Sequence, residues 1–489
     1  MPFPSRPEFW FQALAFAAAC FGILARCYRA ATLGLNGDEA LHLLPVHLPS
    51  LAQAVHEFLQ FHHPPLLLIL TYLIRPITYE EFGARLISIV AGSLFPIVLY
   101  LWLRDRAGMV SACTALIVTS LSLNLITLAP QVRSYSLVFF LSALTLLWLD
   151  RGIDFCRLSR ILLAGGALAL AIMSDYSVAI LCPAITLYGF ARLHEARAPR
   201  RMWVAWGAMI LLALAVFGAL YWLQVRHFQE DASDFADSWL RNGFRARGEP
   251  LLRFLAAATI KQFAYLAGTL AAGVVLAACF ALALPGASIA WRLLLLTPFA
   301  TGLALSLLRL LPFGSTRHSA VVSIVIAAGA ALAAQRWLVP RPRWLLAVPL
   351  AAVLCLATAR RDFMDRPDSQ LDRKAFREAA VFLSSLPATT APILATGEGR
   401  LLVQYYRIME RQPPILIVGD TFGELKRDFF EHHLARFRND RSIAPDDPVY
   451  FVDAGYFPVE FPEPRPSQPL GRFGLLTIWR LQGGRAVQK

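Results

Sequence analysis

The chain has 489 residues, of which 57% are hydrophobic and only 16% are charged. A soluble domain usually carries about 25% charged residues, so the composition excludes an ordinary soluble protein and predicts an integral membrane protein. The formal net charge of +13 invites a nucleic-acid interpretation. However, the basic residues lie between hydrophobic runs and form no single patch, which is typical of membrane topology and of contact with anionic lipids. Nucleic acid is therefore excluded as a partner.

Hydrophobic runs extend as far as Ala359, after which the composition becomes that of a soluble protein. We therefore predict a membrane domain at 1–359, with a first outward loop at 30–84, and a soluble α/β domain at 360–489. The seven cysteines lie in or beside hydrophobic runs, and none forms a CxxC pair. This spacing favours neither a disulfide framework nor a zinc ribbon.

About eleven membrane-spanning helices are predicted, because a span needs roughly 20 apolar residues and eleven runs approach that length. The runs are 10–28, 84–103, 110–128, 134–149, 161–173, 178–190, 203–223, 264–284, 291–310, 319–334 and 344–358. The apolar run 64–77 is short and contains Arg75 and Pro76, so we expect it to lie flat in the outer interface or to be re-entrant.

Arginine clusters fix the predicted orientation of these spans. Arg104 with Arg106, and the clusters within 151–160, 192–201 and 336–343, fall in loops on one side of the alternation. The positive-inside rule makes that side cytoplasmic. With the N-terminus inside, an odd number of spans places the C-terminal domain outside.

The C-terminal domain alternates strand-like and helical runs. Strands are predicted at 392–395, 414–418, 449–452 and 475–478, and helices at 372–386 and 422–439. This alternation predicts a small three-layer α/β domain. No GxGxxG and no P-loop is present in the sequence, so nucleotide binding has no support.

The first candidate for chemistry is the pair Asp38 and Glu39, shortly after the first span. Two adjacent acids are costly at a membrane surface if they become desolvated. Asp38 is suited to act as a general base on an acceptor hydroxyl. The alternative is that Asp38 is an acidic N-cap of an interfacial helix.

Two histidines, His62 and His63, precede Pro64 and the interfacial run. Adjacent histidines point to different sides of most backbone conformations, so a metal shared by both is not expected. One of them could bind phosphate or assist a metal held by Asp38. A purely structural role at the interface is the alternative.

Two arginines, Arg133 and Arg317, lie at the mouths of spans on the predicted outer side. A guanidinium is planar and always charged, so each is a candidate phosphate clamp. Snorkelling to lipid headgroups is the alternative for both. Asp175 occupies a very short outward turn, where a plain turn residue is the simpler interpretation. The loop 224–261 carries six further basic residues, which either bind an anion or are solvated: Arg226, Arg241, Arg245, Arg247, Arg253 and Lys261.

In this order the motifs resemble those of the GT-C superfamily of membrane glycosyltransferases. The resemblance is to bacterial relatives of the dolichyl-phosphate-mannose protein mannosyltransferases and of the aminoarabinose lipid A transferases. Asp38-Glu39 resembles the acidic motif of that superfamily, and 63–66 resembles its His-Pro-Pro-Leu. Three further stretches carry the likeness: Glu81 with Arg85 and Gly92, Arg133 with Tyr135, and Arg317 with His318 in place of an Arg-Tyr pair. In the turn that holds Asp175, some relatives carry Lys or His.

The resemblance implies an inverting transfer of a sugar from a polyprenyl-phosphate donor to a hydroxyl of a lipid A, glycan or protein acceptor. Asp38 would deprotonate or orient the acceptor. Arg133, Arg317 or the basic loop would offset charge on the departing phosphate. His63 is a further candidate for binding the donor phosphate, and His62, Tyr135 and Asp175 are other site candidates. No cofactor is certain, and a divalent metal held by Asp38, Glu39 and His62 stays open.

Three other interpretations compete with this one. A transporter or lipid flippase would explain the many spans, but the charges concentrate at one surface rather than at the midplane, and no inverted repeat is visible. An O-antigen ligase or polymerase shares the donor class. An assembly factor would act through its soluble domain.

Overall fold

A computed structural model describes residues 6–61, 63–76, 81–227, 243–314, 316–364, 371–386, 393–419, 425–444, 447, 449–461 and 469–481. The chain divides into two compact units. The helical unit comprises Met1–Ala30 and Leu51–Asp362, and the sheet unit comprises Ala31–Ser50 and Phe363–Lys489. The predicted outward loop 30–84 is thereby divided between the two.

The helical unit is built from apolar helices joined by short turns. In chain order its α-helices are α1 Arg6–Thr32, α3 Leu51–Phe58, α4 Leu66–Ile74, α5 Glu81–Ala84, α6 Leu86–Ala107, α7 Met109–Leu121, α8 Leu123–Leu128, α9 Tyr135–Asp154, α10 Leu158–Ile172, α11 Cys182–Glu195, α12 Arg200–Leu223, α13 Leu251–Ala267, α14 Leu270–Ala283, α15 Ile289–Leu307, α16 Ser323–Leu338 and α17 Ala347–Met364. Short 3₁₀ turns in this unit are Tyr176–Ile180, Val225–His227, Leu284–Gly286, Arg317–Val322 and Pro342–Trp344.

Seven helices within the described residues are long and apolar enough to cross a membrane, or up to eight if the bent pair α13 and α14, at 103°, forms one span. The predicted total of about eleven is not confirmed. Besides the run 264–284, which falls on this bent pair, three predicted spans lack a long continuous helix. The run 110–128 is interrupted at Ser122, where the backbone is extended. The run 161–173 is the 15-residue helix α10, and the run 178–190 begins as a 3₁₀ turn before α11.

A buried ionic cluster ties three of these helices together. The Asp150 carboxylate on α9 accepts hydrogen bonds from Trp102 Nε1 on α6 at 2.7 Å and from Tyr188 on α11 at 2.5 Å. Arg192, also on α11, donates to Asp150 at 2.9 Å and to Asp154 at 2.7 Å. A buried charge is tolerated when it is paired and hydrogen-bonded in this way. Arg192 comes from a cluster that the positive-inside rule predicts to be cytoplasmic, and here it also fixes helix register.

The sheet unit contains helices α2 Gly37–Leu43, α18 Arg373–Ser385, α19 Gly397–Met409 and α20 Arg427–Asp440, with a 3₁₀ turn at Leu44–His47. Its strands are β1 Ile393–Ala395, β2 Ile417–Val418, β3 Val449–Asp453, β4 Gly471–Phe473 and β5 Leu476–Leu481. They form one mixed sheet in the order β2-β1-β3-β5-β4. β1 is parallel to β2 and β3, whereas β5 is antiparallel to β3 and β4.

The predicted strands and helices of the C-terminal region are all found, within a few residues of their predicted bounds. Helix α19 and strand β4 were not predicted. The segment 31–50 belongs to this unit because its backbone is bonded to it. Gly34 N donates to Leu371 O at 2.9 Å, and Leu35 N donates to the Tyr406 hydroxyl on α19 at 3.0 Å.

Candidate functional site

In the sheet unit, the predicted acidic pair begins helix α2. Asn36 is the N-cap, and its side chain accepts from Glu39 N at 2.8 Å while the Glu39 carboxylate accepts from Asn36 N at 3.1 Å. This reciprocal capping box satisfies two amide groups of the first turn. Glu39 is fully buried, so its carboxylate serves the cap. Asp38 is the partly exposed member of the pair, and it is not the N-cap.

Two acidic residues that the sequence analysis missed, Glu398 and Asp453, interact with Asp38 or with each other. Glu398 lies in the first turn of α19, just after β1, and Asp453 ends β3. Because β1 and β3 are parallel neighbours, their carboxyl ends meet at one sheet edge. A Cβ placed on Gly37 would lie 3.0 Å from both Cβ and Cγ of Glu398. The first turns of α2 and α19 are therefore in direct contact.

This environment perturbs both carboxyl groups. Burial, opposed by a backbone hydrogen bond and aided by the negative charges of Asp38 and Asp453, raises the pKa of Glu398 to about 7. Burial also raises the pKa of Asp453, although the backbone amides of Gly455 and Ala454 lower it. Strongly perturbed carboxyl groups gather at functional sites more often than elsewhere. The sequence signal that was available is Thr396-Gly-Glu-Gly after a strand, a helix-start pattern with an acid in the first turn.

In the helical unit, Arg133 is buried with 4% exposure. Its Nη2 donates to the Tyr135 hydroxyl at 3.2 Å, and its guanidinium carbon lies 5.6 Å from the centre of the Tyr135 ring. The ring of this tyrosine also meets the ring of His318 edge-on, with ring centroids 6.2 Å apart. The structure thus brings together Arg133, Tyr135 and His318, from two predicted motifs nearly 200 residues apart. Arg317 begins the same 3₁₀ turn as His318 and is partly exposed.

Asp175 has the turn role that its position predicted, and it has a second contact as well. Its Oδ1 accepts from Ser177 N at 2.8 Å and caps the 3₁₀ turn. Its Oδ2 accepts from the Ser134 hydroxyl at 3.2 Å, next to Arg133 in the chain. The turn is therefore bonded to the loop that carries the arginine.

The same turn also fixes the loop that carries His63. Leu66 N, which follows the two prolines, donates to Met173 O at 3.0 Å. The buried side chain of Gln224 donates from Nε2 to Phe61 O at 2.6 Å and to His63 O at 3.0 Å. The Tyr176 hydroxyl in turn donates to Gln224 Oε1. His62, the other predicted histidine, lies outside the described residues.

Glu81, Arg85 and Gly92 form the third motif, and each is constrained by packing. Arg85 is buried and donates from Nη1 to Ala30 O at 3.1 Å. Glu81 is fully buried. A Cβ on Gly92 would lie 2.6 Å from Ala129 Cβ, so only glycine allows the two segments to approach this closely.

Two arginines of the basic loop 224–261 contact residues close to them in the chain. The Arg226 guanidinium lies 5.0 Å from the centre of the Trp222 ring, and Arg245 donates to Glu249 O at 2.8 Å. Arg241 lies outside the described residues. Among the residues that the structure describes, no group of three or more His, Cys, Asp or Glu side chains is arranged to hold a metal ion.

An apolar groove of about 590 Å³ opens between α7, the bent pair α13–α14, α16 and α17. Its walls are almost entirely hydrocarbon. Representative lining residues are Val118, Leu266, Val275, Leu276, Trp337 and Ala351. A groove of this composition is suited to an acyl or prenyl chain rather than to a polar ligand.

Comparison with known proteins agrees with the resemblance seen in the sequence. Residues 62–222 match the model of the dolichyl-phosphate-mannose-protein mannosyltransferase family. No curated protein matches the sequence. The structure of ArnT from Cupriavidus metallidurans in the apo state superposes with a TM-score of 0.54 at 13% identity, covering 97% of this chain and 98% of that one. The same protein bound to undecaprenyl phosphate gives a TM-score of 0.50 at 13% identity, covering 96% and 97%. The chain therefore shares the fold of ArnT over nearly its whole length.

Proposed function

We propose that the chain is an integral membrane glycosyltransferase that moves a sugar from a polyprenyl-phosphate donor to a hydroxyl of an extracytoplasmic acceptor. The observation that carries this proposal is the buried Arg133, held by Tyr135 within a fold shared with ArnT. A related structure of ArnT contains undecaprenyl phosphate, which supports this donor class. The apolar groove is suited to the prenyl tail.

The burial of Arg133 argues against its alternative role. A snorkelling arginine extends along the hydrocarbon and exposes its charged group to the headgroup region. Arg133 instead is 4% exposed and shares a hydrogen bond with Tyr135. A buried cation placed beside a departing phosphate stabilises the charge that develops there. Arg317, which is partly exposed, is the second candidate for this role.

The proposed reaction is a single displacement at the anomeric carbon. The acceptor oxygen forms a bond to this carbon while the bond to the donor phosphate oxygen breaks, and the electron pair leaves with the phosphate. Asp38 takes the proton of the acceptor hydroxyl. A single displacement inverts the anomeric configuration. The acceptor is lipid A, another glycan or a protein, and a divalent metal is not required by this scheme.

We further place the protein in a bacterial inner membrane with the sheet unit outside, where a polyprenyl-phosphate sugar would meet such acceptors. A transporter or lipid flippase is not favoured, because the fold is shared with glycosyltransferases.

The decisive test is turnover of polyprenyl-phosphate sugars by purified protein, scored as release of free polyprenyl phosphate. Asp38→Asn should lower the rate by about 10²-fold or more, because it removes the proton acceptor and keeps the shape. Asp447→Asn is the matched control, since Asp447 is exposed in the same unit. Equal rates in wild type and Asp38→Asn would show that Asp38 is not the base. If none of the sugars tried gave release of polyprenyl phosphate, the transporter interpretation would be favoured instead.

A further inference from the structure

The helix that carries Asp38 is held by the C-terminal part of the chain. Leu35 N donates to the Tyr406 hydroxyl at 3.0 Å, and the ring of His47 lies 5.9 Å from that of Tyr405. Both tyrosines are on α19 and are buried. One helix therefore fixes the segment on both sides of Asp38.

Gly37, directly before Asp38, packs against Glu398. Any side chain there would meet Glu398, because a Cβ would lie within 3.0 Å of two of its carbon atoms. Glu398 itself is fixed by the start of α19, where Thr396 Oγ1 accepts from Gly399 N and from Ala454 N, each at 3.2 Å. The Glu398 side chain thus lies on a rigid turn against the backbone that positions Asp38.

We propose that Glu398 is a positioning residue for Asp38, so that the C-terminal part of the chain holds the proposed base in place. This inference rests on the proposed function, in which Asp38 is the base. A neutral Glu398 packs against the first turn of α2 without repelling Asp38. An ionised Glu398 places a second negative charge beside it and disfavours the packed arrangement.

The charge of Glu398 changes within the physiological pH range. Burial, aided by the carboxylates of Asp38 on α2 and Asp453 on β3, raises its pKa to about 7. Below that pH the side chain is mostly neutral, and above it mostly ionised. The wild-type rate is therefore expected to fall several-fold as the pH rises from 6 to 8.5, in addition to any dependence that Asp38 itself causes at lower pH.

The test compares Glu398→Gln and Glu398→Ala with wild type in full-length purified protein, again by polyprenyl-phosphate release. Glu398→Gln is isosteric and neutral at every pH, so it should match wild type at pH 6 and exceed it several-fold at pH 8.5. Glu398→Ala loses the contact with Gly37, so it should show a lower kcat at both pH values with an unchanged KM for the donor. Glu378→Gln, an exposed glutamate on α18, is the control and should follow wild type throughout.

Thermal unfolding gives a readout that does not depend on turnover. The folded pKa of Glu398 lies above its ordinary value of 4.5, so the folded state binds this proton more tightly. The stability that this group contributes is then present below about pH 4.5 and is lost as the pH rises to about 7. The midpoint of Glu398→Gln should therefore exceed that of wild type at pH 8.5 and equal it at pH 4.5.

The outcomes separate the two proposals. An active wild type whose pH profile is unchanged by Glu398→Gln would overturn the positioning role and leave the glycosyltransferase intact. The positioning role would also be overturned if Glu398→Gln at pH 6 showed the same loss of kcat as Glu398→Ala. If the wild type released no polyprenyl phosphate, both the proposed function and the positioning role would be wrong, even if the unfolding midpoints shifted as expected.

Discussion

Among the candidate site residues, Arg133 is the one whose surroundings most restrict its role. It donates to the Tyr135 hydroxyl, and Tyr135 also meets the ring of His318. The sequence predicted the arginine as a phosphate clamp at the mouth of a span, and the family resemblance added the tyrosine. Neither predicted that His318 would contact this pair. That contact depends on the packing of α9 against the turn at Arg317–Val322, which no local pattern encodes.

Substitution of Arg133 should weaken donor binding. Arg133→Ala removes the charge and should lower the affinity for the donor by about 10- to 100-fold, the range expected when a charge-assisted hydrogen bond of about 1.5–3 kcal/mol is lost. Arg133→Lys keeps the charge but loses the planar geometry, so it should restore only part of the affinity. The measurement is binding of a polyprenyl-phosphate sugar to purified protein. An unchanged dissociation constant in Arg133→Ala would remove the phosphate-clamp role, and Arg157→Ala, exposed at the start of α10, is the control.

At the scale of elements, the sequence predicted where helices lie better than where they are continuous. Ser122 interrupts an apolar run because its extended backbone separates α7 from α8, and its hydroxyl donates to Leu266 O at 2.7 Å. Helix α19 was missed because two glycines in its first turn, Gly397 and Gly399, lower helix propensity. The second of these is needed, since a Cβ there would lie 2.9 Å from Val452 O. Contacts between distant parts of the chain therefore determine both the break at Ser122 and the start of helix α19.

Gln224 shows the same dependence on distant contacts. A glutamine at the end of an apolar helix is unremarkable in sequence, yet it joins α12 to the His63 loop and to the turn of Tyr176. Gln224→Ala leaves the carbonyls of the half-buried Phe61 and His63 without this donor. The loss costs about 1–3 kcal/mol of folding free energy for each carbonyl that water does not reach. The unfolding midpoint and the turnover rate should both fall.

Gln224→Glu should be more harmful than Gln224→Ala, because a carboxylate has no donor and would face the carbonyls of Phe61 and His63. Turnover and thermal unfolding of both variants check this order. Gln60→Ala, an exposed glutamine in the same loop, should behave as wild type. A Gln224→Glu variant as active and stable as wild type would contradict the loop-fixing role.

For the whole molecule, the side of the membrane that the sheet unit occupies depends on whether the number of spans is odd. Among the described residues, seven helices are long enough to cross, and the bent pair α13–α14 is an eighth candidate. Helices α7 and α10 are shorter and apolar, and α11 is a 14-residue helix in a predicted span. These three, added to the eight, account for the eleven predicted runs. If all of them cross, the N-terminus and the sheet unit lie on opposite sides, as the arginine clusters predict.

Labelling with a membrane-impermeant maleimide tests this orientation directly. In a variant whose seven cysteines are replaced, Asp447→Cys introduces an exposed thiol in the sheet unit, and Ala196→Cys introduces one at the end of α11. In spheroplasts, Asp447→Cys should be labelled at once, whereas Ala196→Cys should react only after the membrane is permeabilised. The reverse pattern would place Asp38 and the sheet unit in the cytoplasm. Acceptors outside the membrane would then be out of reach, and the proposed reaction would need a cytoplasmic hydroxyl instead.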